Sequence, residues 1–412
     1  MGTTGGVYVE FFSDEALENV MCMLQYKPDK LIFLGHKSTM LTRKIQSLTE
    51  FAKLKAPKTE LEFIEVPRDD LEKCIEALND ISDRYPDAFY ELTGGGEMLF
   101  IAFGYISAGK KLNTLRIDPY TGIEVSMKAG EEPTQHTDNI QISVKENIIL
   151  HGGTLTRQTG SYSTWSFTED FKADIRTIWD IAKNLRHKWN KYCSTIEDVI
   201  KSFPEDESGH YSLPKSALGE AVVLFYKLND KGMLKDFRTD NKRIKFRFKS
   251  ESIKHIVTKT GNILELHVYE VASRRSDVFS DEIIGAMIDW NGDKNEEEKK
   301  NFASDYERYM KASYDTINEI DVILMQACVP IFISCKSGKA SSNSLHELET
   351  VTHRFGGKYA RKALVMALPC DETSSGSAFF KQRAKEMHIW VIDNIYSMTD
   401  DQLLKKLMLI HN

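Results

Sequence analysis

The first third of the chain alternates between short apolar segments and amphipathic segments, and this alternation is what most constrains the fold. The segments "GVYVEFF" (Gly6–Phe12), "KLIFLGH" (Lys30–His36) and "ELEFIEV" (Glu60–Val66) are predicted strands. A segment such as "DDLEKCIEALNDISDRY" has the 3.6-residue apolar spacing of a surface helix. Strands that alternate with helices are typical of a parallel sheet covered by helices. We therefore predict a doubly wound, Rossmann-like α/β domain over residues 1–160.

A glycine loop in this region suggests where the domain binds a ligand. The segment "AFYELTGGGEMLFIAFGYI" predicts a strand, a glycine loop and a buried helix. In doubly wound sheets, ligands bind beyond the carboxyl ends of the strands. The predicted ligand-binding residues are Phe12, Ser13, Asp14, Gly35, His36, Lys37, Thr93, Gly94, Gly95, Gly96 and Glu97. Glycines at a helix N-terminus bring backbone N–H groups close to an anion, although a tight turn alone explains them equally well.

The same loop argues against the common nucleotide-binding motifs. It is neither a G-x-G-x-x-G sequence nor a P-loop, because no Gly-Lys-Ser/Thr follows the glycines. The sequence therefore gives no support for an ordinary dinucleotide or nucleoside triphosphate site.

Length and composition set limits on the whole chain. At 412 residues two or three domains are expected, with the composition of a soluble globular protein. No apolar run approaches the ~20 residues of a membrane span, and no export signal is visible. The six scattered cysteines form no C-x-x-C pair, which favours a reducing cytoplasm over a zinc site or disulfide framework. The net charge of −7 requires any nucleic-acid contact to use a local basic surface.

The middle of the chain, residues 161–252, is predicted to be a helical connector. A helical segment is followed by a helix, a glycine stop and a short β-hairpin in "RIKFRFKS", an order that resembles a winged helix-turn-helix. The predicted recognition helix is not notably basic. A structural connector or dimerisation element is therefore favoured over DNA reading, which stays open.

The C-terminal segment, residues 253–412, carries a pattern typical of metal-dependent phosphodiester cleavage. In "VPIFISCKSGKA", Ser334 and Lys336 lie on one face of a predicted strand, since side chains alternate along a strand. Asp321 lies in the preceding strand "NEIDVILMQA". A tight turn near Ala327–Cys328 would place Asp321 opposite or nearly opposite Ser334. Glu265 lies upstream in a predicted helix, separated from Asp321 by a loop that contains "DWNGD".

These residues have expected roles in a PD-(D/E)xK nuclease site. Asp321 would bind one or two divalent cations with Glu265 as the natural candidate for a second acid, and Lys336 would orient or help deprotonate the attacking water and offset phosphate charge. Each also has a structural alternative: a turn aspartate, a solvated strand-end lysine, a solvated helix glutamate. The order of helix glutamate, strand aspartate and strand lysine favours the functional interpretation.

Ser334 stands where an acid is expected, so the predicted site is one carboxylate short. Glu347 is the first candidate to replace it, and Glu349 the second, because both lie on the next predicted helix. Against Glu347, Ser344-x-x-Glu347 matches a capping box that would hold Glu347 at the helix start. The surroundings are rich in basic residues that could contact phosphate, namely Lys339, Arg354, Lys358, Arg361, Lys362, Lys381, Arg383 and Lys385.

Five motifs together resemble one family. They are "LTGGGEM", "GNILELHVYE", "NEIDVIL", "PIFISCKSG" and "LETVTHRFGGKYARKALV". Together they are similar to the CRISPR-associated Rossmann-fold (CARF) nucleases of type III systems, which join a CARF domain to a restriction-endonuclease-like domain. The resemblance covers nearly the whole chain and is strongest in the C-terminal motifs.

The resemblance implies an allosteric nuclease of antiviral defence. A homodimer would bind a cyclic oligoadenylate, with cyclic tetra-adenylate favoured, and would then cleave single-stranded DNA or RNA with Mn²⁺ or Mg²⁺. Asp321, Lys336 and Glu265 match the family's catalytic positions. Ser334 departs from its Glu-x-Lys motif, and Glu97 departs from the Thr-Lys that usually ends its glycine loop.

Two other functions stay open from the sequence. One is a ligand-responsive regulator that binds nucleic acid through the middle segment and has an inert nuclease domain. The other is a protein that degrades cyclic oligoadenylate without cleaving added DNA or RNA.

Overall fold

The fold was described from a computed structural model of the chain. It describes residues 6–137, 139–156, 162, 165–290, 317–370 and 375–410. Within these ranges, no helix is both long enough and apolar enough to cross a membrane. The strands form a seven-stranded, a three-stranded and a six-stranded sheet.

The seven-stranded sheet is the predicted Rossmann-like sheet, with strand order β3-β2-β1-β4-β5-β6-β7. Its first five strands in this order are parallel, and β6 and β7 are antiparallel additions. Its strands are β1 (Val7–Phe11), β2 (Lys30–His36), β3 (Glu60–Val66), β4 (Phe89–Glu91), β5 (Asn113–Ile117), β6 (Ile123–Met127) and β7 (Thr134–Thr137). The covering helices are α1 (Met21–Tyr26), α2 (Thr42–Lys55), α3 (Leu71–Arg84) and α4 (Glu97–Ser107), with a 3₁₀ turn at Ala16–Asn19.

The middle segment forms the predicted helices and hairpin. The three-stranded antiparallel sheet has the order β10-β11-β9. The strands of this sheet are β9 (Tyr211–Pro214), β10 (Leu234–Thr239) and β11 (Arg243–Phe248). The helices of the middle segment are α6 (Glu169–Leu185), α7 (His187–Ser202), α8 (Lys215–Leu218), α9 (Val222–Asp230) and α10 (Glu251–Thr258). Gly232 precedes the hairpin, as the glycine stop predicts.

The six-stranded sheet carries the C-terminal motifs, with order β16-β15-β14-β13-β12-β8. Strands β14, β15 and β16 are parallel, whereas β12, β13 and β14 are antiparallel neighbours. Its strands are β8 (Thr154–Leu155), β12 (Asp281–Asp289), β13 (Ile317–Gln326), β14 (Val329–Lys336), β15 (Arg361–Met366) and β16 (Trp390–Ile392). The associated helices are α5 (Val144–Leu150), α11 (Asn262–Ala272), α12 (Ser342–Gly356), α13 (Ser375–Glu386) and α14 (Asp400–Met408).

The two large sheets share one apolar core. Side chains from one face of the first sheet, such as Phe12 and Phe33, belong to one buried cluster. The same cluster contains Ile323 and Phe332 of the six-stranded sheet and Phe355 of helix α12. The other face of the C-terminal sheet packs on the middle segment. The predicted domain boundaries at 160 and 252 stay predictions, since apolar packing is continuous across both.

Two local expectations need correction. The segment between α11 and Asp321 was expected to be a loop, but Asp281–Asp289 form β12, which pairs along β13. Of the "DWNGD" motif, residues 291–293 lie outside the described residues. Helix α4 was expected to be buried, yet Ile101 is 56% and Tyr105 69% exposed. One face of this strongly apolar helix is therefore left uncovered in the single chain.

Candidate functional site

The hairpin of β13 and β14 brings the predicted strand residues together. Val322 pairs with Ile333, so Asp321 lies opposite Ser334, as the tight turn predicts. The Ser334 hydroxyl donates a hydrogen bond to Oδ2 of Asp321 over 3.2 Å, and the backbone N–H of Cys335 donates to the same oxygen. The Nζ of Lys336 lies 3.8 Å from that oxygen. Asp321, Ser334 and Lys336 thus form one cluster at the carboxyl end of β14.

Glu265 joins this cluster from helix α11. It lies in the first turn of the helix, where the helix dipole favours a carboxylate. Its Oε2 accepts a hydrogen bond of 2.8 Å from the hydroxyl of Tyr162. The Tyr162 ring lies against Gly285 of β12, where a Cβ atom would come within 2.6 Å of the ring and φ is +58°. A glycine at this position therefore makes room for the tyrosine that holds Glu265.

The acids of the cluster lie close enough for the charge of Asp321 to raise the pKa of its neighbours. Burial, followed by repulsion from Asp321, raises the pKa of Glu265 to about 8, although the Tyr162 hydrogen bond and Lys336 oppose the rise. Burial also raises the pKa of Asp321, against the lowering effects of Lys336 and of the Cys335 and Ser334 donors. A cation placed between the two carboxylates would relieve this repulsion.

Two residues of the cluster, Glu319 and Tyr162, were not predicted from the sequence. Glu319 lies two positions before Asp321 on the same face of β13, and burial and Asp321 raise its pKa. Strand parity applied to "NEID" could have identified it. Tyr162 could not be found this way, since it lies 103 positions from Glu265 in the chain.

The structure does not bring Glu347 into this cluster. Helix α12 begins at Ser342 with Ser341 as its N-cap, so the expected capping box at Ser344 and Glu347 is wrong. The extended backbone at Ser341 starts the helix earlier, and Ser344 is already inside it. Glu347 is exposed and makes no hydrogen bond or ion pair with any residue that the structure describes. Glu349 pairs with Lys362 instead.

The expected basic surface also needs correction. Arg361 pairs with Ile331, whereas Lys336 pairs with Met366, so Arg361 begins β15 at the end opposite to the cluster. Five residues of strand correspond to roughly 17 Å. Arg354 donates to backbone carbonyls of His151 and Trp290. Arg361 therefore lies away from Lys336, and the Arg354 guanidinium is engaged by backbone carbonyls.

A cavity of about 650 Å³ opens beyond the carboxyl ends of the strands in the first sheet. Seven of the eleven predicted ligand residues line it: Phe12, Ser13, Asp14, His36, Gly95, Gly96 and Glu97. Gly35, Lys37, Thr93 and Gly94 are not among its lining residues. The Thr93 hydroxyl instead bonds with Glu91 and the carbonyl of Ile117.

The glycine loop is shaped by both close packing and the cavity. Gly95 has φ +126°, and a Cβ atom there would lie 2.4 Å from Cβ of Phe11. The loop therefore packs directly on the end of β1 and leads into α4, whose first residues face the cavity. The close packing supports the tight-turn interpretation of the glycines. The ligand-binding interpretation stays a prediction, with the N-terminus of α4 at the edge of a ligand-sized space.

Two basic residues of the cavity were not predicted. Arg68 follows β3, and the rule that selected the ends of β1, β2 and β4 would have found it. Lys358 comes from the distant turn between α12 and β15. No local pattern places that residue in the N-terminal cavity.

Comparison with solved structures identifies the fold. A protein of Vibrio cholerae, VC1899, matches with a TM-score of 0.74 and 14% identity over 98% of this chain and 97% of that one. Can2 from Sulfobacillus thermosulfidooxidans, solved in complex with cyclic tetra-adenylate, matches with a TM-score of 0.66 and 16% identity over 99% of both chains. The chain has the fold of these two proteins.

The predicted fold class is thereby confirmed over nearly the whole chain. No protein-family model matches the sequence, and no curated protein does so either. At the identities found for VC1899 and Can2, the likeness concerns the fold, and the chemistry has to be argued from the residues of this chain.

Proposed function

We propose that this chain is a CARF-type nuclease that a cyclic oligoadenylate activates and that cleaves single-stranded DNA or RNA in type III CRISPR defence, in the cytoplasm. The observation that carries the proposal is the convergence of Glu265, Asp321 and Lys336 from three separate elements. Two interacting acids beside a lysine, at a strand end that is partly open to solvent, suit phosphodiester cleavage.

The donor atoms of the cluster fit Mn²⁺ or Mg²⁺. Both ions prefer oxygen ligands, and Mg²⁺ is commonly held by one or two carboxylates together with water and substrate phosphate. Among the described residues, no group of three or more histidine, cysteine or acidic side chains is arranged to hold a metal. Asp321 and Glu265 would therefore supply two ligands. When bound, the ion would activate water and neutralise charge on the phosphate.

The side chains around the two acids have separate tasks in this proposal. Tyr162 holds Glu265 through its hydroxyl, and the Ser334 and Cys335 donors fix one oxygen of Asp321. That arrangement leaves the other oxygen, Oδ1, available. Lys336 brings a positive charge to the same face, where it can offset phosphate charge and orient a water molecule.

The cavity of the first sheet is the proposed activator site. It lies at the strand ends, it includes the N-terminus of α4, and it contains Arg68 and Lys358, all features that suit a phosphate-bearing ligand. Support for cyclic tetra-adenylate comes from Can2, a protein of the same fold that was solved with this molecule.

The exposed face of α4 supports a homodimer. Phe100, Ile101 and Tyr105 are 36%, 56% and 69% exposed, an apolar patch that a soluble monomer rarely leaves open. Ile101 also lines the cavity, so the cavity borders this patch. A twofold-related copy packed on α4 would join two cavities into one symmetric site for a cyclic ligand.

A ligand-responsive regulator with an inert nuclease domain is the second candidate. The observation that favours it is Ser334, which leaves only a hydroxyl where a third carboxylate would complete the ion site. Cleavage by the wild type distinguishes the two, because the proposed nuclease cuts with serine at this position and an inert domain gives no product. If the wild type is inert, Mn²⁺-dependent cleavage by Ser334→Glu would show that the missing carboxylate is the cause.

The direct test combines the chain with cyclic tetra- or hexa-adenylate, Mn²⁺ and labelled single-stranded DNA and RNA. We expect the labelled strands to be cut only when both the activator and Mn²⁺ are present, and Lys336→Ala to remove cutting while it retains activator binding. Loss of the cyclic ligand with intact DNA and RNA would instead identify a ligand-degrading protein. Activator-dependent nucleic-acid binding without product would identify the regulator.

A further inference from the structure

One lysine of the C-terminal unit lies in the cavity of the N-terminal unit. Lys358 belongs to the short turn Gly357–Tyr359, which joins α12 to β15. It lines the cavity together with Ser13, Glu15 and the glycine loop. A ligand in this cavity would therefore be within reach of a charge carried by the unit that holds Asp321 and Lys336.

A buried glutamate holds this lysine in the structure. The Nζ of Lys358 lies 2.6 Å from Oε1 of Glu18, whose side chain is only 5% exposed, while the lysine side chain is 55% exposed. The hydroxyl of Tyr359 donates to the same Glu18 oxygen over 2.6 Å. The other Glu18 oxygen, Oε2, accepts a hydrogen bond from Ser13. Glu18 thus contacts a cavity-lining residue of the first unit and the turn of the second at the same time.

The rest of the turn is fixed by the first unit as well. The backbone N–H of Lys358 donates to Oε2 of Glu15 over 3.0 Å. Its carbonyl accepts a hydrogen bond of 3.3 Å from the hydroxyl of Tyr120, whose ring packs against Tyr359. Residues of the N-terminal unit therefore hold both the backbone and the tyrosine of the turn. The Lys358 side chain is the exposed part of the turn.

The turn is continuous with the elements that flank the cleavage cluster. Helix α12 ends at Gly356, directly before it, and β15 begins at Arg361, shortly after it. Strand β15 pairs in register with β14, up to Lys336 opposite Met366. The start of β15 lies roughly 17 Å from its cluster end, so a displacement of the turn would have to be transmitted along β15 to reach Ser334 and Lys336 on the neighbouring strand.

We propose that Lys358 binds a phosphate of the activator in exchange for Glu18, and that this exchange couples the cavity to the cleavage cluster. The inference rests on the proposed function and adds its mode of regulation. A phosphate competes well for a lysine because both carry full opposite charges in a partly open site. Among the described residues that line the cavity, Arg68 is the one other lysine or arginine, and the remaining charged side chains are the acids Asp14, Glu15, Asp69 and Glu97.

The test compares Lys358→Ala, Glu18→Gln and the double variant with the wild type, by titration with cyclic tetra-adenylate. We expect Lys358→Ala to weaken binding about 10-fold or more. Glu18→Gln should strengthen binding several-fold, because it frees the lysine. In the Lys358→Ala background the same substitution should give little gain, a non-additivity that is the mark of direct competition.

Controls separate this exchange from general effects of charge and folding. Lys362 lies near the start of β15, pairs with Glu349 and does not line this cavity. Lys362→Ala removes one positive charge there, and its affinity for cyclic tetra-adenylate should stay within about twofold of wild type. Lys358→Arg keeps the charge and should recover much of the affinity lost in Lys358→Ala. Equal loss in the arginine and alanine variants would overturn a role for the charge.

The outcomes also distinguish this inference from the proposed function. If the wild type fails to bind cyclic tetra- or hexa-adenylate, the proposed function fails. If the wild type binds and is activated but Lys358→Ala binds within twofold, the inference alone fails. At saturating activator we expect Lys358→Ala to cleave at about one-tenth of the wild-type rate. Full cleavage at saturation would overturn the coupling and leave only a binding contact.

Discussion

Two pairs of acids with raised pKa values lie in this chain, one on adjacent strands of the first sheet and one between α11 and β13, and their surroundings differ sharply. In the first sheet, Glu10 of β1 lies in register with Glu91 of β4, and the two side chains are 0% and 1% exposed. Both oxygens of Glu10 lack a hydrogen-bond partner among the described residues. Burial and the neighbouring Glu91 raise the pKa of Glu10. This pair has no lysine or arginine among the groups that shift its pKa values.

The pair of Glu265 and Asp321 has a neighbouring lysine and access to solvent. Lys336 lies 3.8 Å from Asp321, and Tyr162, Ser334 and the Cys335 amide donate hydrogen bonds to the two acids. Lys336 is also 33% exposed, so the cluster has access to solvent. A raised pKa therefore does not by itself identify a reaction site. The cation and the opening to solvent distinguish acids that can hold an ion from acids that are neutralised by a proton.

The largest expected effect comes from neutralising one acid of each pair and comparing the cleavage rates. Asp321→Asn removes a charged ion ligand while it retains shape, and we expect activated cleavage to fall by about 100-fold or more. Glu10→Gln changes an acid that is fully buried and lies outside the cluster, and cleavage should stay within about twofold of wild type. The measurement is initial cleavage rate at saturating activator and Mn²⁺. Comparable losses in both variants would mean that the two pairs do not differ in function.

The sequence made much of this cluster predictable, because its geometry is local. Asp321 and Ser334 lie on two strands joined by a tight turn, so strand parity and turn position place them opposite each other. The alternating pattern likewise predicted the parallel strands and the ends at which the cavity opens.

The parts that escaped prediction depend on contacts between distant segments. Tyr162 reaches Glu265 over 103 positions of chain, and Lys358 reaches Glu18 over 340. Residues 281–289 were expected to belong to a loop that contains "DWNGD", whereas they pair along β13 and form strand β12. The basic residues near Arg361 were expected to surround the cleavage cluster, but the sheet register places Arg361 at the opposite strand end.

A smaller effect tests whether donors around the acids matter. Tyr162→Phe removes the hydroxyl that holds Glu265, and we expect cleavage to fall by about 10-fold, with a higher Mn²⁺ concentration needed for half-maximal rate. Tyr90→Phe is the matched control, because the buried Tyr90 hydroxyl lacks a hydrogen-bond partner among the described residues. The shift in Mn²⁺ requirement separates a positioning role from a loss of stability. An unchanged Mn²⁺ requirement in Tyr162→Phe would remove Tyr162 from the site.

The smallest expected effect concerns the pH dependence of the pair in the first sheet. Burial raises the pKa of Glu91 to about 8, and Glu18 adds repulsion, against the lowering effect of the Thr93 hydrogen bonds. An unfolded glutamate has a pKa of about 4.3. The folded chain therefore holds an extra proton between these values, and its stability falls as the pH rises through this window.

We expect the free energy of unfolding to decrease between pH 6 and pH 8 by about 1 kcal/mol per pH unit from this group, a decrease that Glu91→Gln should remove. The measurement is the thermal unfolding midpoint at both pH values. Glu62→Gln is the control, because Lys30 lowers the pKa of Glu62 and keeps it ionised throughout this range. The Glu62 variant should therefore retain the wild-type response. If Glu91→Gln responds to pH as the wild type does, then Glu91 is ionised in the folded chain and a cation must lie nearby, as in the Asp321 cluster.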